Sequence, residues 1–251
     1  MQKALITGAS SGIGKELAII MAKAGHDLVL VARGKDELAK LQRSITTEHK
    51  VKVSVIVADL SVPGSATKLY SQARKEKIQI LVNNAGVGLK GDFFHDDPAR
   101  TTQLAQLNVV SLMELSQLFG KDFITNNNGR ILNIASITAF FPGPKQPVYY
   151  ASKAFVRSLG RALAYNVRNT NVTVTTLHPG VTKTSFFTAA NAGNITSGAS
   201  AESVARLGYK AMMAGKIEVT HGFSNKLLTN VFARFMPYRV QTRIVGRASD
   251  V

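Results

Sequence analysis

Short apolar runs and longer amphipathic stretches alternate along this chain almost from end to end. Lys3 to Thr7, Asp27 to Ala32, Lys52 to Ala58, Ile78 to Asn83, Arg130 to Ala135 and Val172 to His178 are short, largely apolar and flanked by polar or turn-forming residues. Such runs predict strands buried on both faces, and Ile217 to Thr220 predicts a seventh. Between them, Gly14 to Ala24, Asp36 to Glu48, Ser65 to Glu76, Pro98 to Phe123, Tyr149 to Asn169 and Ala201 to Ala214 read as helices. Regular strand–helix alternation predicts a parallel sheet with helices on both faces, an α/β doubly wound arrangement of the Rossmann type. No low-complexity linker and no internal repeat divides residues 1–251, so a single domain is expected.

Composition narrows the picture. The 251 residues, 45% hydrophobic and 18% charged, are enough for a substantial core and exclude a disordered chain. The absence of cysteine rules out disulfides, thiolate metal sites and cysteine nucleophiles. The N-terminus enters the first strand at once, and no apolar stretch is long enough to cross a bilayer, so a cytoplasmic location is the expectation. The formal charge of +16, from 31 Lys plus Arg against 15 Asp plus Glu, favours anionic partners. Its basic residues are scattered and not interleaved with aromatics, so a solvated surface is expected and no nucleic acid.

Two stretches depart from the rhythm. Residues 184–200, rich in Ala, Asn, Gly and Ser, follow a strand and read as a lid over a site. Residues 225–247 carry Leu227, Leu228, Val231, Phe232 and Phe235 at helical spacing; after Pro237, Val240, Ile244 and Val245 continue the apolar side. Lys226, Arg234, Arg239, Arg243 and Arg247 make this a basic amphipathic segment. Such a segment can lie on an anionic membrane surface or dock on a partner.

Candidate chemistry begins after the first strand, where "TGASSGIG" places Gly8, Ser10, Ser11, Gly12, Ile13 and Gly14 ahead of the first helix. Gly8 allows the tight turn, Gly12 the close approach of backbone to a pyrophosphate, and Gly14 the packing of helix on strand. The helix N-terminus then offers unpaired N–H groups to phosphates. At the end of the second strand, where an NAD enzyme carries a carboxylate, Arg33 stands instead. A guanidinium suits a 2′-phosphate, so NADP(H) is preferred, with NAD(H) the alternative. Further on, "YYASK" sets two tyrosines one helical turn before Lys153, and spacing alone allows either Tyr149 or Tyr150 to share its face.

With the glycine pattern, "ADLS" (58–61), "NNAG" (83–86), "LNVVS" (107–111), Ser136, "YYASK" and "HPGVTKT" (178–184) in order, the chain resembles the short-chain dehydrogenase/reductase family from about residue 3 to 184. The resemblance implies Tyr149 as the general acid/base, because the family motif is Tyr-x-x-x-Lys, with Tyr150 as a neighbour on the pocket wall. It implies Ser136 as a hydrogen-bond donor to the substrate oxygen. Lys153 would lower the tyrosine pKa and bond the nicotinamide ribose, and Asn108 would hold a water behind it. It also implies that Asp59 and Leu60 meet the adenine and that Asn83, Ala85 and Gly86 lie along the ribose and pyrophosphate, with Asn84 tethering strands. Pro179, Gly180, Thr182 and Thr184 would surround the carboxamide.

The expected reaction is hydride transfer between NADP(H) and a small-molecule ketone, aldehyde or alcohol, by a homodimer or homotetramer. Phe140, Phe141, Phe186 and Phe187 suggest an apolar substrate, while Lys90, Lys145 and Lys183 are the available cations. The histidines, His95, His178 and His221 among them, lack metal-ligand spacing and read as structural or surface residues, and no metal is expected. The resemblance also implies that a C-terminal segment closes the pocket or joins subunits, so for residues 225–247 that contact ranks first, then an anionic membrane, then nucleic acid. Two rival readings are a cofactor-binding sensor without turnover and a peripheral nucleic-acid or membrane-surface binder, the latter acting through the basic segment.

Overall fold

The computed structural model describes residues 2–184, 186 and 197–248. Seven parallel strands form the main sheet: β1 (Lys3–Thr7), β2 (Asp27–Ala32), β3 (Val53–Val57), β4 (Ile80–Asn83), β5 (Gly129–Ile134), β6 (Val172–His178) and, after a further pair, β9 (Glu218–Thr220). Their order is β3-β2-β1-β4-β5-β6-β9. The direction of winding reverses between β1 and β4, which opens a crevice beyond the carboxyl ends of the strands. The helices are α1 (Gly12–Lys23), α2 (Lys35–Glu48), α3 (Ser65–Ala73), α4 (Pro98–Ala105), α5 (Leu112–Thr125), α6 (Pro147–Asn166) and α7 (Ala201–Met213). The short strands β7 (Thr182–Lys183) and β8 (Ala199–Ser200) pair outside the main sheet.

Double-sided burial explains the uninterrupted apolar strands. In β1, Ala4 and Ile6 pack with Leu17, Met21 and Leu38 of α1 and α2, whereas Leu5 faces Leu69, Leu115 and Phe119 of α3 and α5. The pleat sends successive side chains to opposite faces, so apolar residues are favoured at successive positions instead of at alternate ones.

Two elements differ from expectation in ways that matter. The helix expected over Pro98 to Phe123 is continuous, but Gln106–Ser111 is π-helical between α4 and α5. Such an insertion rotates the residues it carries, and Asn108 lies within it, buried at 1% exposure. Its bonds to Val87 and Ser152 reward that placement. The expected lid falls mostly outside the described residues, since 185 and 187–196 are among those not described. The C-terminal segment follows the predicted break at Pro237. It runs α8 (Phe223–Leu227), a π-helical turn (Leu228–Phe232), α9 (Ala233–Phe235) and α10 (Tyr238–Ala248).

Helix α6 lies unusually close to the sheet at Gly160, where a methyl group would collide with Thr176 Oγ1 on β6. That close seat sets the depth of the "YYASK" turn. Gly160→Ala is expected to destabilise the fold by about 1–3 kcal/mol through overpacking. Removing the opposing hydroxyl in Gly160→Ala/Thr176→Ala should recover much of the loss. Urea unfolding of the two variants checks both expectations.

Candidate active site

The crevice at the carboxyl ends of β1, β2, β4, β5 and β6 holds a cleft of about 730 Å³. One end is the loop between β1 and α1. Gly8 and Gly12 adopt φ of 64° and 54°, a region that L side chains rarely enter. At Gly14 any side chain would strike the Gly8 carbonyl and the Asn84 amide, so this glycine packs the loop and does not line the cleft. No side chain caps α1, and its first turn has no carboxylate. Its free N–H groups therefore remain available to an anion. Ser10, Ser11 and Ile13 complete this wall.

Arg33, Asp59 and Leu60 line the far end of the cleft. Burial acts to raise the Asp59 carboxyl, but the Ser61 hydroxyl and N–H and the Arg33 charge outweigh it and hold the pKa below its ordinary value. A charged guanidinium and a charged carboxylate thus sit together where an adenosine ribose would lie. The donor-rich glycine loop, the uncapped helix and this pair fit a dinucleotide.

The "NNAG" stretch corrects one expectation. Asn83 does not reach the cleft; its buried amide bonds Ser116 Oγ at 2.9 Å and Asn133 Oδ1 at 3.0 Å, tying β4 to α5 and β5. Asn84, expected to tether strands, donates to the carbonyls of Thr7 and Gly8 at 2.9 and 3.1 Å and also lines the cleft in the place expected for Asn83. Thr7, which sequence reasoning passed over, is the matching clamp. Its hydroxyl accepts from the N–H groups of Asn84 and Ala85, both at 3.0 Å, and donates to Val82 O at 3.2 Å. The only signal was its place immediately before Gly8. Ala85 and Gly86 line the cleft, as do Pro179, Gly180, Thr182 and Thr184 on the opposite side.

The catalytic candidates converge near the middle of the cleft. Ser136 follows β5 and caps a short 3₁₀ turn, accepting from Thr138 N at 3.1 Å. Tyr149 and Lys153, one turn apart on α6, are both buried and both line the cleft. Tyr150 also lines the cleft, with its ring 6.1 Å from that of Tyr149. Lys153 Nζ donates to Ile134 O at 2.9 Å and lies 5.8 Å from the centre of the Tyr149 ring. Behind it, Asn108 does not line the cleft. Its Oδ1 accepts from Val87 N at 3.0 Å, and its amide donates to Val87 O at 2.8 Å and Ser152 Oγ at 3.2 Å.

Electrostatics departs from the expected picture. Burial pushes the Tyr149 phenol up to about 12, against the smaller opposing effect of the Ser136 and Thr138 hydroxyls. Burial likewise pulls the Lys153 ammonium down to about 8. The Tyr149 pKa is therefore raised in the protein alone, not lowered as expected, because desolvation of the phenolate dominates. Thr138 is a second hydroxyl at the phenol, and no motif pointed to it.

The aromatic residues divide. Phe186 lines the cleft 5.5 Å from the Tyr149 ring, whereas Phe140 and Phe141 are not among the lining residues. Phe140 packs instead against His178 and beneath Arg157, with the guanidinium 3.9 Å from its ring centre. Phe187 lies outside the described residues. Of the three lysines, Lys90 lines the cleft and Lys145 and Lys183 do not.

His178 is structural. Fully buried, it places Nδ1 3.3 Å from Ser136 O and Nε2 3.6 Å from Glu218 on β9. Glu218 is also gripped by Arg161 through Nε and Nη2. The His178 and Arg161 contacts together hold its carboxyl far below the ordinary value near 4.5, despite partial burial. Such a depressed carboxylate stabilises the fold above about pH 4.5, and that contribution is lost as pH falls further. Glu218→Gln is therefore expected to lower the thermal midpoint at pH 7 and to flatten its fall below pH 4.5. An unchanged acid limb in scans from pH 7 to 3 would remove this link from the account.

A family model described as short chain dehydrogenase matches residues 2–195. The chain is 32% identical over 184 residues to the very-long-chain 3-oxoacyl-CoA reductase of Anas platyrhynchos, a match covering 70% of this chain and 58% of that protein. It is 32% identical over 197 residues to 17-beta-hydroxysteroid dehydrogenase type 3 of Homo sapiens, covering 78% and 64% respectively. The chain thus spans about three fifths of the length of these relatives. Among solved structures, a short-chain dehydrogenase from Sphingobium yanoikuyae in complex with NADPH superposes with a TM-score of 0.85 at 29% identity, covering 100% of this chain and 96% of that one.

Proposed function

The chain belongs to the short-chain dehydrogenase family, and from that premise we propose that it is an NADP(H)-dependent oxidoreductase reducing an extended, apolar ketone or aldehyde, or running in reverse. The observation that carries the reading is the buried Tyr149 phenol on the cleft wall, flanked by the Ser136 hydroxyl and backed by Lys153.

When bound, the nicotinamide supplies or accepts the hydride at the carbonyl carbon. The chain's own residues manage the oxygen. As negative charge grows there, Ser136 Oγ donates a hydrogen bond in the manner of an oxyanion hole. Tyr149 Oη gives its proton to that oxygen, so that the carbonyl becomes an alcohol. A phenol held protonated by burial is present in the donor form at every physiological pH. The phenolate left behind lies beside the Lys153 ammonium, whose charge returns part of the desolvation cost once the proton has moved. In oxidation the same proton path runs backwards.

NADP(H) is favoured by Arg33 at the mouth of the ribose end, where its guanidinium suits a 2′-phosphate. The apolar substrate class rests on Phe186, Tyr150, Ile137 and Val181 in the cleft lining. The relatives named for 3-oxoacyl-CoA and hydroxysteroid substrates support it.

A panel of aliphatic, aromatic, 3-oxoacyl thioester and steroid ketones, followed by NADPH absorbance, tests the reading. Tyr149→Phe should lower turnover by roughly 10²–10⁴-fold, while Tyr150→Phe stays within several-fold of wild type. Loss in Tyr150→Phe alone would contradict the assignment. Arg33→Ala should weaken NADPH binding by roughly 10–100-fold, the value of a charge-assisted hydrogen bond, and leave NADH binding nearly unchanged. Equal weakening of both cofactors would place Arg33 outside 2′-phosphate recognition.

A further inference from the structure

Past β9 the surface changes character. From Val219 to Ala248 there is no Asp or Glu, whereas Lys226, Arg234, Arg239, Arg243 and Arg247 are all basic. In the same stretch Phe223, Leu227, Val231 and Phe235 recur every fourth residue and are all exposed, Phe223 by 84% and Phe235 by 75%. Tyr238, Val240 and Ile244 extend the exposed apolar set onto α10. Isolated exposed hydrophobics are ordinary, but seven within 22 residues, four of them at helical spacing, are not.

This segment also borders the cleft on two sides. Near its start, Asn225 packs so closely on Gly180 that a side chain there would collide with it. Near its end, Gly246 lies against Pro144, with a methyl at that glycine 3.7 Å from the ring. Pro144 precedes Gln146 and Tyr150, which line the cleft. The loop carrying exposed Phe93 and Phe94 joins the same rim through Gly91 N–H to Lys145 O at 3.1 Å.

We propose that the face from Phe223 to Arg247 docks on an anionic lipid surface beside the mouth of the cleft. Its aromatic and aliphatic tips enter the boundary between headgroups and acyl chains, and its guanidinium groups meet lipid phosphates and carboxylates. The Arg234 and Arg239 guanidiniums lie 5.9 and 6.0 Å from the Phe235 and Tyr238 ring centres, pairing charge with apolar surface as an interface requires. Charge disfavours a second copy of the chain: a two-fold contact through Val219 to Ala248 would set its five basic residues on the same segment, which holds no carboxylate. Nucleic acid would match the charge but leave the apolar ridge in water. The proposal is independent of the chemistry in the cleft.

The test is co-sedimentation of the full chain with vesicles of phosphatidylcholine alone and with added phosphatidylserine, at low and high salt. Thermal unfolding first confirms that each variant is folded. Binding is expected only to the anionic vesicles. Arg239→Ala/Arg243→Ala should lower the partition by roughly thirtyfold, at about fivefold per basic residue. Leu227→Asp/Phe235→Asp should abolish it at both salt concentrations without slowing NADPH oxidation by a soluble ketone. Three results would overturn the proposal: no binding to either vesicle; heparin binding as tight as lipid binding and unaffected by Leu227→Asp/Phe235→Asp; or a dimer in light scattering that this apolar pair dissociates.

Discussion

The site depends on one costly placement, the burial of the Lys153 ammonium at the floor of the cleft. It is 5% exposed, no carboxylate contributes to holding its proton, and its hydrogen bond goes to the Ile134 carbonyl at the end of β5. A cation in such a place forces its neighbours. Gly86 leaves it room, since a methyl there would touch Nζ at 3.5 Å and crowd Asn108 Oδ1 at 3.2 Å. The helix that carries the lysine must lie tight on the sheet, which Gly160 permits. The π-helical turn that turns Asn108 inward completes the enclosure and fixes the Val87 backbone, in the loop after β4, on both its N–H and C=O.

Burial acts in opposite senses on the two members of the "YxxxK" turn. It favours the neutral form of each, so the phenol keeps its proton and the ammonium becomes easier to deprotonate. The result is a donor that does not leak its proton to water, beside a cation whose worth rises when negative charge appears on the phenol or the substrate oxygen. Preorganisation of this kind places the electrostatic cost in folding, where a sheet buried on both faces can bear it.

Much of this was legible in the chain. Strand limits followed from apolar runs because double-sided burial leaves no ambiguity of face, and β1, β2 and β6 fall where the pattern places them. The glycine loop was readable because positive φ and close approach each demand glycine. Asn83 and Asn84 were harder: whether the first asparagine still belongs to the strand decides which one faces the cleft. Here Asn83 pairs with Asn133 in the ladder and Asn84 is the first residue beyond it. Thr7 was marked only by its place before Gly8, and Thr138 acts through a tertiary contact that no local pattern encodes, as does the His178–Glu218 link across the β6–β9 pairing. The pKa of Tyr149 could not be foreseen from a motif, because spacing shows the nearby charge but not the depth of burial.

The most direct test of the account is an ultraviolet titration of the phenolate at Tyr149, taken as wild type minus Tyr149→Phe. Burial predicts that in the protein alone this tyrosine resists ionisation to about pH 12; an oxidised nicotinamide carries a positive charge, so added NADP⁺ should bring the titration down. A Tyr149 phenolate appearing below pH 10 without cofactor would contradict the claim that burial holds the donor protonated.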